Sequence, residues 1–341
     1  MTAIKVEEIE PGQPVEIDFL RPADAPGVAA LFRAVYGDAY PHRAYYEPQT
    51  LVAENAARRI ISSVARTPKG EIVGHSAVFR TAPHPGLYES GAGLVLPPYR
   101  NTAGILTRLL THGQELAPRQ FGVEAIFGDA ILNHPFTQKV TVHLKSIPVG
   151  LQVDLMPAAT YAKEGGDNGR VAGLMTINLY QPHPHRIHRP AAYREALDDL
   201  YSHLDDQREL VDSHHDVPAD APSQVTNLYF DFAQVARLYV TGVGRDIARR
   251  LAREEETARA QGAVVVQAWL DLSIPWLGPA VDWLRANGYF LGGIMPRWFD
   301  QDALMLQKVM HRPHWEGIVM ALERGQEILD LVRRDWERTR T

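Results

Sequence analysis

One spacing occurs twice in this chain, and it constrains the fold more than any other feature. Gly122 opens an apolar, strand-like run, Pro135 follows 13 residues on, and Met156-Pro157 stand at +34 and +35. Gly262 opens a second such run, with Pro275 at +13 and Met295-Pro296 at +33 and +34. A glycine-led strand, a proline-led helix and a returning strand make one supersecondary unit. Two copies within 341 residues imply two related domains. The polar, glycine-rich stretch "AKEGGDNGR", residues 162–170, is the expected boundary. The expected division is residues 1–162, residues 170–310 and a C-terminal helix within 311–341.

Strand-like and helix-like segments alternate throughout. "VEIDFLRPAD" reads as a strand, and "APGVAALFRAVYG" as a helix with Asp24 as N-cap. A second helix is expected over about 50–66, followed by the strands "EIVGHSAVFR" and "YESGAGLVL". In "LPPYRNTAGILTRLL", residues 96–110, an apolar run leaves through a turn into a helix. Ile105, Leu106, Leu109, Leu110 and Leu116 fall on one side of that helix. "VEAIFGDAIL" is a strand, then come a helix from Pro135 to Leu144 and the strand "GLQVDLMP". Past the boundary, "VAGLMTINLY" is a strand and "PAAYREALDDLYSHLDDQREL" a helix. "QVARLYVTGVGRDIARRLAREEETARAQ" is a second strand-turn-helix. The last helix carries Ile318, Leu322, Leu329, Val332 and Trp336 on one face, which either docks on the second domain or makes a homodimer contact.

Composition narrows the function. A formal charge of −6 argues against nucleic acid or a membrane surface as general partners, because both select clustered Lys and Arg. With no cysteine, disulfides, thiolate metal sites and a cysteine nucleophile are excluded. The N-terminus lacks a basic-then-apolar leader and no run of 18 apolar residues occurs, so a cytoplasmic location is expected.

The turn at 96–110 has its own chemistry. A strand that leaves through a short turn into a helix aims free backbone N–H groups and the positive end of the helix dipole at one point, which is an anion site. Ala103 and Gly104 would let a phosphate approach, and Arg100 adds a charged contact. The other reading is that Asn101 or Thr102 merely caps a helix.

The order strand, two helices, strands, "VLPPYRNTAGILTRLL", strand, helix, strand resembles the GNAT-type N-acetyltransferase superfamily. Its signature is a Pro-x-Tyr-Arg-like strand end, then Arg/Gln-x-x-Gly-x-Gly/Ala and an amphipathic helix. "FLRPADAPGVAALFRAVYG" and "LRANGYFLGGIMP" look like its opening and closing elements, the former within 16–160 and the latter within a fainter match over 170–310. The resemblance implies an α/β (α+β) fold of two tandem GNAT-like domains. Each would be a mixed, largely antiparallel sheet flanked by helices. It also implies that Arg100, Asn101, Thr102, Ala103, Gly104 and Ile105 hold the pyrophosphate of acetyl-CoA or another acyl-CoA, with no metal. Here Ala103 replaces the expected glycine and Ile105 the final small residue, unless one inserted residue puts Gly104 in the glycine's role. "YVTGVGRDIARRL" in the second half has glycines but no matching pattern, so one coenzyme A per chain is expected and the second copy is taken as a scaffold.

An acceptor amine must lose a proton to become nucleophilic. In several GNAT enzymes the base is a Glu 11 residues ahead of the first signature residue; the resemblance implies that role for Glu89, which stands 11 before Arg100. Its alternative is a solvent-facing carboxylate beside Tyr88. Backbone N–H groups around Leu94, Val95 and Leu96 would polarise the thioester. Asn133 stands where the family places an Asn on the pantetheine or phosphate arm, with a strand-end cap as its alternative; Asp129 lies on the same strand. The family's tyrosine acid has no counterpart, and His143 is the titratable group of similar reach. Tyr40, Tyr45 and Tyr46 either line an acceptor pocket or close over the core. His183, His185 and His188 invite a metal reading but lack a supporting Asp, Glu or Cys ligand at useful spacing. The implied activity is acyl transfer to the amine of a small-molecule or amino-acid-like acceptor. The alternative is a GNAT-fold protein that binds a ligand, or that acts differently on an acyl or carboxylate substrate.

Overall fold

The computed structural model describes residues 6–100, 104–158 and 169–340. The chain forms two compact units, Met1–Gly128 and Asp129–Thr341. In the first, β1 (Glu16–Phe19), β2 (Ile60–Arg66), β3 (Ile72–Phe79) and β4 (Leu87–Val95) pair antiparallel in that order. β5 (Ala125–Ile131), which runs across the junction of the units, joins β4 in parallel. Helices α1 (Ala25–Tyr36), α2 (Pro48–Ala56) and α3 (Ile105–Phe121) cover the sheet. Ile105, Leu109 and Ala117 form the inward stripe of α3, while Leu106, Leu110 and Leu116 flank it half-buried. Gly74 of β3 lets the stripe close in, for a Cβ there would lie 3.0 Å from Leu109 and 3.2 Å from Ile105.

Two local expectations are corrected. The helix expected over 50–66 stops at Ala56, and Ile60–Arg66 is a strand. Every residue of β2 is buried, so the apolar-polar alternation that marks a half-exposed strand is missing from "IISSVAR". Asp24 does not cap α1 with its side chain. Its carboxylate accepts the Arg21 amide (2.7 Å) and pairs with the buried Arg66 guanidinium (2.6 Å).

The second unit contains α4 (Phe136–His143), β6 (Ile147–Pro157), β7 (Arg170–Leu179), β8 (His185–Arg189), α5 (Arg194–Tyr201), β9 (Arg208–Asp212), β10 (Gln224–Phe230) and β11 (Val235–Gly242). After these come α6 (Ile247–Ala260), β12 (Val265–Asp271), α7 (Gly278–Ala286), β13 (Phe290–Phe299), β14 (Gln301–Val309) and α8 (Glu323–Arg338). Its large sheet has the order β7-β6-β13-β14-β12-β11-β10, with β11 and β12 parallel and the other neighbours antiparallel. β8 and β9 form a separate parallel pair, so the helix expected over 190–210 is α5 followed by a strand. The doubled spacing is one β-α-β unit used twice, β5-α4-β6 and β12-α7-β13, each led by a glycine with φ near +70° to +96°. Segment 162–170 joins β6 to β7 inside this unit, and 162–168 lie outside the described residues. α8 packs on β13 and β6 through Ile328 and Val332, and its Asp335 accepts the Leu291 amide (2.7 Å) and the Tyr193 hydroxyl (2.8 Å).

β6 and β13 meet at a single pair, Gly150 with Gly293. A Cβ on Gly293 would lie 2.3 Å from Gly150 Cα, and its φ of +142° disfavours any other residue. The ladder that this crossing interrupts is completed by a side chain. Gln307 of β14 donates through Nε2 to the Leu151 carbonyl (2.8 Å) and accepts the Val153 amide on Oε1 (2.9 Å). All of these groups are buried, so losing the amide strands two backbone groups at a cost of ~1–3 kcal/mol each. Gly293→Ala and Gln307→Leu are each expected to lower stability by about 3 kcal/mol, read as a fall in urea midpoint with unchanged slope. A wild-type midpoint in both would refute this account of the crossing.

Candidate active site

The distinctive local geometry is on β4. Its pairing with β5 covers Leu87↔Ala125, Tyr88↔Ile126 and Glu89↔Phe127 and then stops, although β4 continues to Val95. On the other edge, two steps of β3 (His75 to Ala77) face three of β4 (Leu94 to Gly91), which is a bulge. Ala92 sits in it with φ +50°. The stretch Glu89 to Gly93 is half-buried between buried ends. Two glycines leave room: a Cβ at Gly91 would lie 3.2 Å from the Phe79 ring, and one at Gly93 3.0 Å from Leu106.

His75 holds the bulge. Its ring is fully buried, and the Nδ1–H donates to the Ala92 carbonyl at 2.9 Å, while Nε2 has no hydrogen-bond partner. Burial pushes the imidazole down to about 4, so it is neutral at pH 7. The rings of Phe32 and Tyr45 stand edge-on to it at 5.3 and 5.2 Å and stack on each other at 4.6 Å. Nothing in "IVGHSAVF" marks this histidine beforehand, since the bond closes across 17 residues.

Glu89 occupies the last β4 position that still pairs with β5, and its Oε2 accepts the Thr81 hydroxyl at 2.7 Å. Tyr45 is fully buried, yet its hydroxyl has no hydrogen-bond partner. Burial raises that phenol well above 10, and the neighbouring Tyr40 and Glu89 push it the same way. Tyr45 and Tyr46 therefore belong to the core, where Tyr46 Oη accepts the Tyr40 amide (3.0 Å); Tyr40 is half-buried above Phe32. The structure thus brings Glu89, Tyr45 and Tyr40 together.

At the far end of β4, Leu94, Val95 and Leu96 are buried. Leu96 donates its N–H to the Val73 carbonyl (2.8 Å), so strand alternation turns Leu94 toward β3 as well and turns Val95 to the edge that β5 has left. The Val95 carbonyl on that edge accepts Arg100 Nε at 3.0 Å, and Arg100 is otherwise exposed. Asn101, Thr102 and Ala103 lie outside the described residues. Gly104 precedes α3 with φ +57° and ψ +35°, exposed, and a Cβ there would meet nothing within 4 Å. Ile105 turns its side chain into the core and so does not crowd the turn. These residues fit a phosphate: room at Gly104, a cation at Arg100, and the first N–H groups of a 17-residue helix.

The corresponding turn after β11 is built differently. β11 stays paired with β12 for six residues, Val235 to Val240, with no parting of the strands. A Cβ on Gly242 would lie 2.8 Å from the Pro222 carbonyl and one on Gly244 2.4 Å from that of Ala221. The Gly244 amide donates to Ser223 Oγ (3.0 Å), whose hydroxyl is bonded to Asp246 (2.6 Å). The chain fills its own anion turn there.

The remaining candidates lie in the second unit. Asn133, after β5, buries both amide atoms without a hydrogen-bond partner, so it is not a strand-end cap. His143 is exposed near the end of α4. His185 Nε2 lies 3.1 Å from the buried Asp302, and His188 Nδ1 donates to the Leu272 carbonyl (3.3 Å). Burial would raise Asp302, but Arg208 and His185 hold it well below the carboxylate range. Among the described residues no group of three or more His, Asp or Glu side chains is placed to hold a metal, and no helix is long and apolar enough to cross a membrane.

No protein-family model matches the chain, and no curated protein matches it in sequence. About half of it is structurally similar to GNAT-type acetyltransferases, at low identity. Ribosomal-protein-S5-alanine acetyltransferase from Vibrio fischeri aligns at 12% identity and a TM-score of 0.39, over 49% of this chain and 94% of that one. A spermidine N-acetyltransferase from Vibrio cholerae, in complex with CoA and spermine, aligns at 11% and 0.37, over 49% and 95%. The spermidine/spermine N-acetyltransferase of the same organism aligns at 10% and 0.38, over 48% and 94%.

The buried neutral His75 links the bulge to pH. An unfolded histidine takes up its proton near 6.5 and the folded ring only near 4, so between these values the unfolded chain binds more protons and stability falls as pH falls. The loss across that window is expected to reach about 3 kcal/mol. Urea titrations from pH 7 to 4 should show it, and His75→Leu should flatten the slope by that amount. An identical slope in the variant would remove His75 as its source.

Proposed function

We propose that the protein transfers an acyl group from an acyl-CoA thioester to the amine of a small-molecule acceptor. The observation that carries this reading is the parting of β4 from β5 immediately after Glu89, on a strand that then bulges at Ala92 and leads to α3, with open space at Gly104. An unpaired strand edge is a liability unless something pairs with it. The extended, amide-bearing arm of coenzyme A supplies donors and acceptors at strand spacing, and its pyrophosphate suits the turn from Arg100 to Ile105.

The residues divide the work. Gly104 and Arg100 hold the phosphates. The Val95 N–H, on the edge away from β3, is aimed at the thioester carbonyl and stabilises the oxygen as charge develops on it. Glu89 accepts the proton that the ammonium must lose before its nitrogen attacks; the new C–N bond forms as the C–S bond breaks, and the second proton shed by that nitrogen passes to the departing sulfur, so that coenzyme A leaves as its thiol. Asn133 and His143 have no assigned step in this scheme.

Glu89→Gln is expected to lower turnover about a hundredfold while leaving coenzyme A affinity within twofold, with a loss that shrinks as pH rises and free amine accumulates. Thiol release from acetyl-CoA over an amine panel measures it, and wild-type turnover at pH 7 would reject the base. Calorimetry with coenzyme A should give one site per chain, because Ser223 fills the second turn. Gly104→Val should weaken that site at least tenfold, since a branched side chain is strained at φ +57°. Two sites per chain, or none, would overturn the assignment.

A further inference from the structure

Four side chains of the second unit form one hydrogen-bonded chain whose polarity is fixed from both ends. Arg237 on β11 can only donate, and its Nε bonds Gln267 Oε1 at 3.0 Å; Trp269 Nε1 donates to the same oxygen at 3.3 Å. Gln267 must then present its amide NH2, and that group donates to Gln152 Oε1 at 2.7 Å. Gln152 in turn donates to Asp129 Oδ1 at 2.7 Å, and an ionised carboxylate can only accept. The two amides are buried, whereas the charges at either end are only partly so.

Neither charge has a direct counter-ion. Among the described residues no carboxylate forms an ion pair with Arg237 and no cation forms one with Asp129, and the two do not pair with each other. They sense each other nonetheless: burial raises the Asp129 carboxyl, and the Arg237 charge pulls against that rise more than the bond from Gln152 does. A half-buried guanidinium and a half-buried carboxylate, held apart by two oriented amides, are electrostatically incomplete. The guanidinium stands among rings, 5.1 Å from the Phe230 centroid, 5.5 Å from Trp269 and 5.8 Å from Trp298. Trp269 and Trp298 stack at 4.3 Å, and Tyr239 closes on Trp298 at 6.0 Å. Such walls position a planar cation and exclude water from whatever it binds.

We infer that these residues form a binding site for a small zwitterion of the α-amino-acid class, its carboxylate on Arg237 and its ammonium on Asp129. A carboxylate alone would leave Asp129 unanswered, and an amine alone would leave Arg237 so. The site is built from the second unit's own residues and does not depend on acyl transfer.

The test is calorimetry on the full chain without coenzyme A, using each common L-α-amino acid as probe, followed by the N-acetyl and the carboxamide derivatives of the best binder. At least one amino acid should bind, and each blocked derivative should bind at least tenfold more weakly. Asp129→Asn, which is isosteric, and Arg237→Lys should each weaken binding at least tenfold while melting cooperatively. If the lysine variant does not fold, Asp129→Asn decides. Absence of binding by every amino acid, equal binding of either blocked derivative, or wild-type affinity in folded Asp129→Asn would overturn the site. Because coenzyme A is absent, none of these outcomes bears on Glu89 or the turn at Gly104.

Discussion

A strand that abandons its neighbour has to be held by something else, and on β4 that something is a neutral imidazole. After Glu89 the strand loses β5, and it would be free to straighten or slip if the bulge at Ala92 were not fixed. His75 fixes it from beneath, donating to the Ala92 carbonyl from a fully buried position. A charged side chain could not sit there without a large desolvation cost, and an aliphatic one would leave the carbonyl unanswered. The surrounding choices are consistent with this single bond. Phe32 and Tyr45 enclose the ring, and Gly91 and Gly93 keep the bulge thin where Phe79 and Leu106 press on it.

The two units use one strand order for different ends. In both, an antiparallel pair is followed through a helix by a parallel neighbour, β3-β4-α3-β5 and β10-β11-α6-β12. In the first the parallel pair parts early, and a Cβ at Gly104, just before the helix, would meet nothing within 4 Å. In the second the pair stays closed, Trp269 of β12 stacks on Trp298 of β13, and Ser223 occupies the amide of Gly244. Identical topology therefore carries an accessible edge in one half and a sealed, aromatic one in the other, and the difference lies in a handful of side chains.

What was legible in the sequence follows from the range of the interactions. The doubled β-α-β spacing and the helix after Gly104 are local patterns that could be read from glycines, prolines and periodicity, whereas the closing helix begins only at Glu323, so Ile318 and Leu322 of its expected face precede it. β2 could not, because a strand buried on both faces carries no alternation, and "IISSVAR" then continues the helix before it. Glu89 was readable as a candidate by its distance from Arg100, whereas the histidine that shapes its strand was not. The chain from Asp129 to Arg237 was beyond reach for the same reason: Gln152 and Gln267 meet across 115 residues, and no local pattern encodes that meeting. Asp24 shows the reverse error, for a helix-capping residue by type had a stronger partner in Arg66, 42 residues away.

Gln307 does more than satisfy two backbone groups. Its amide reads the Leu151 carbonyl and the Val153 amide, which flank Gln152 on β6. A peptide-like group that grips residues on both sides of one position acts as a register lock, because a slip of a single residue would offer it the wrong pair and turn every β6 side chain to the opposite face. Only one setting of that lock directs Gln152 toward Gln267. The orientation of the polar chain between Asp129 and Arg237 is thus decided at a neighbouring strand by a residue that belongs to neither end of it.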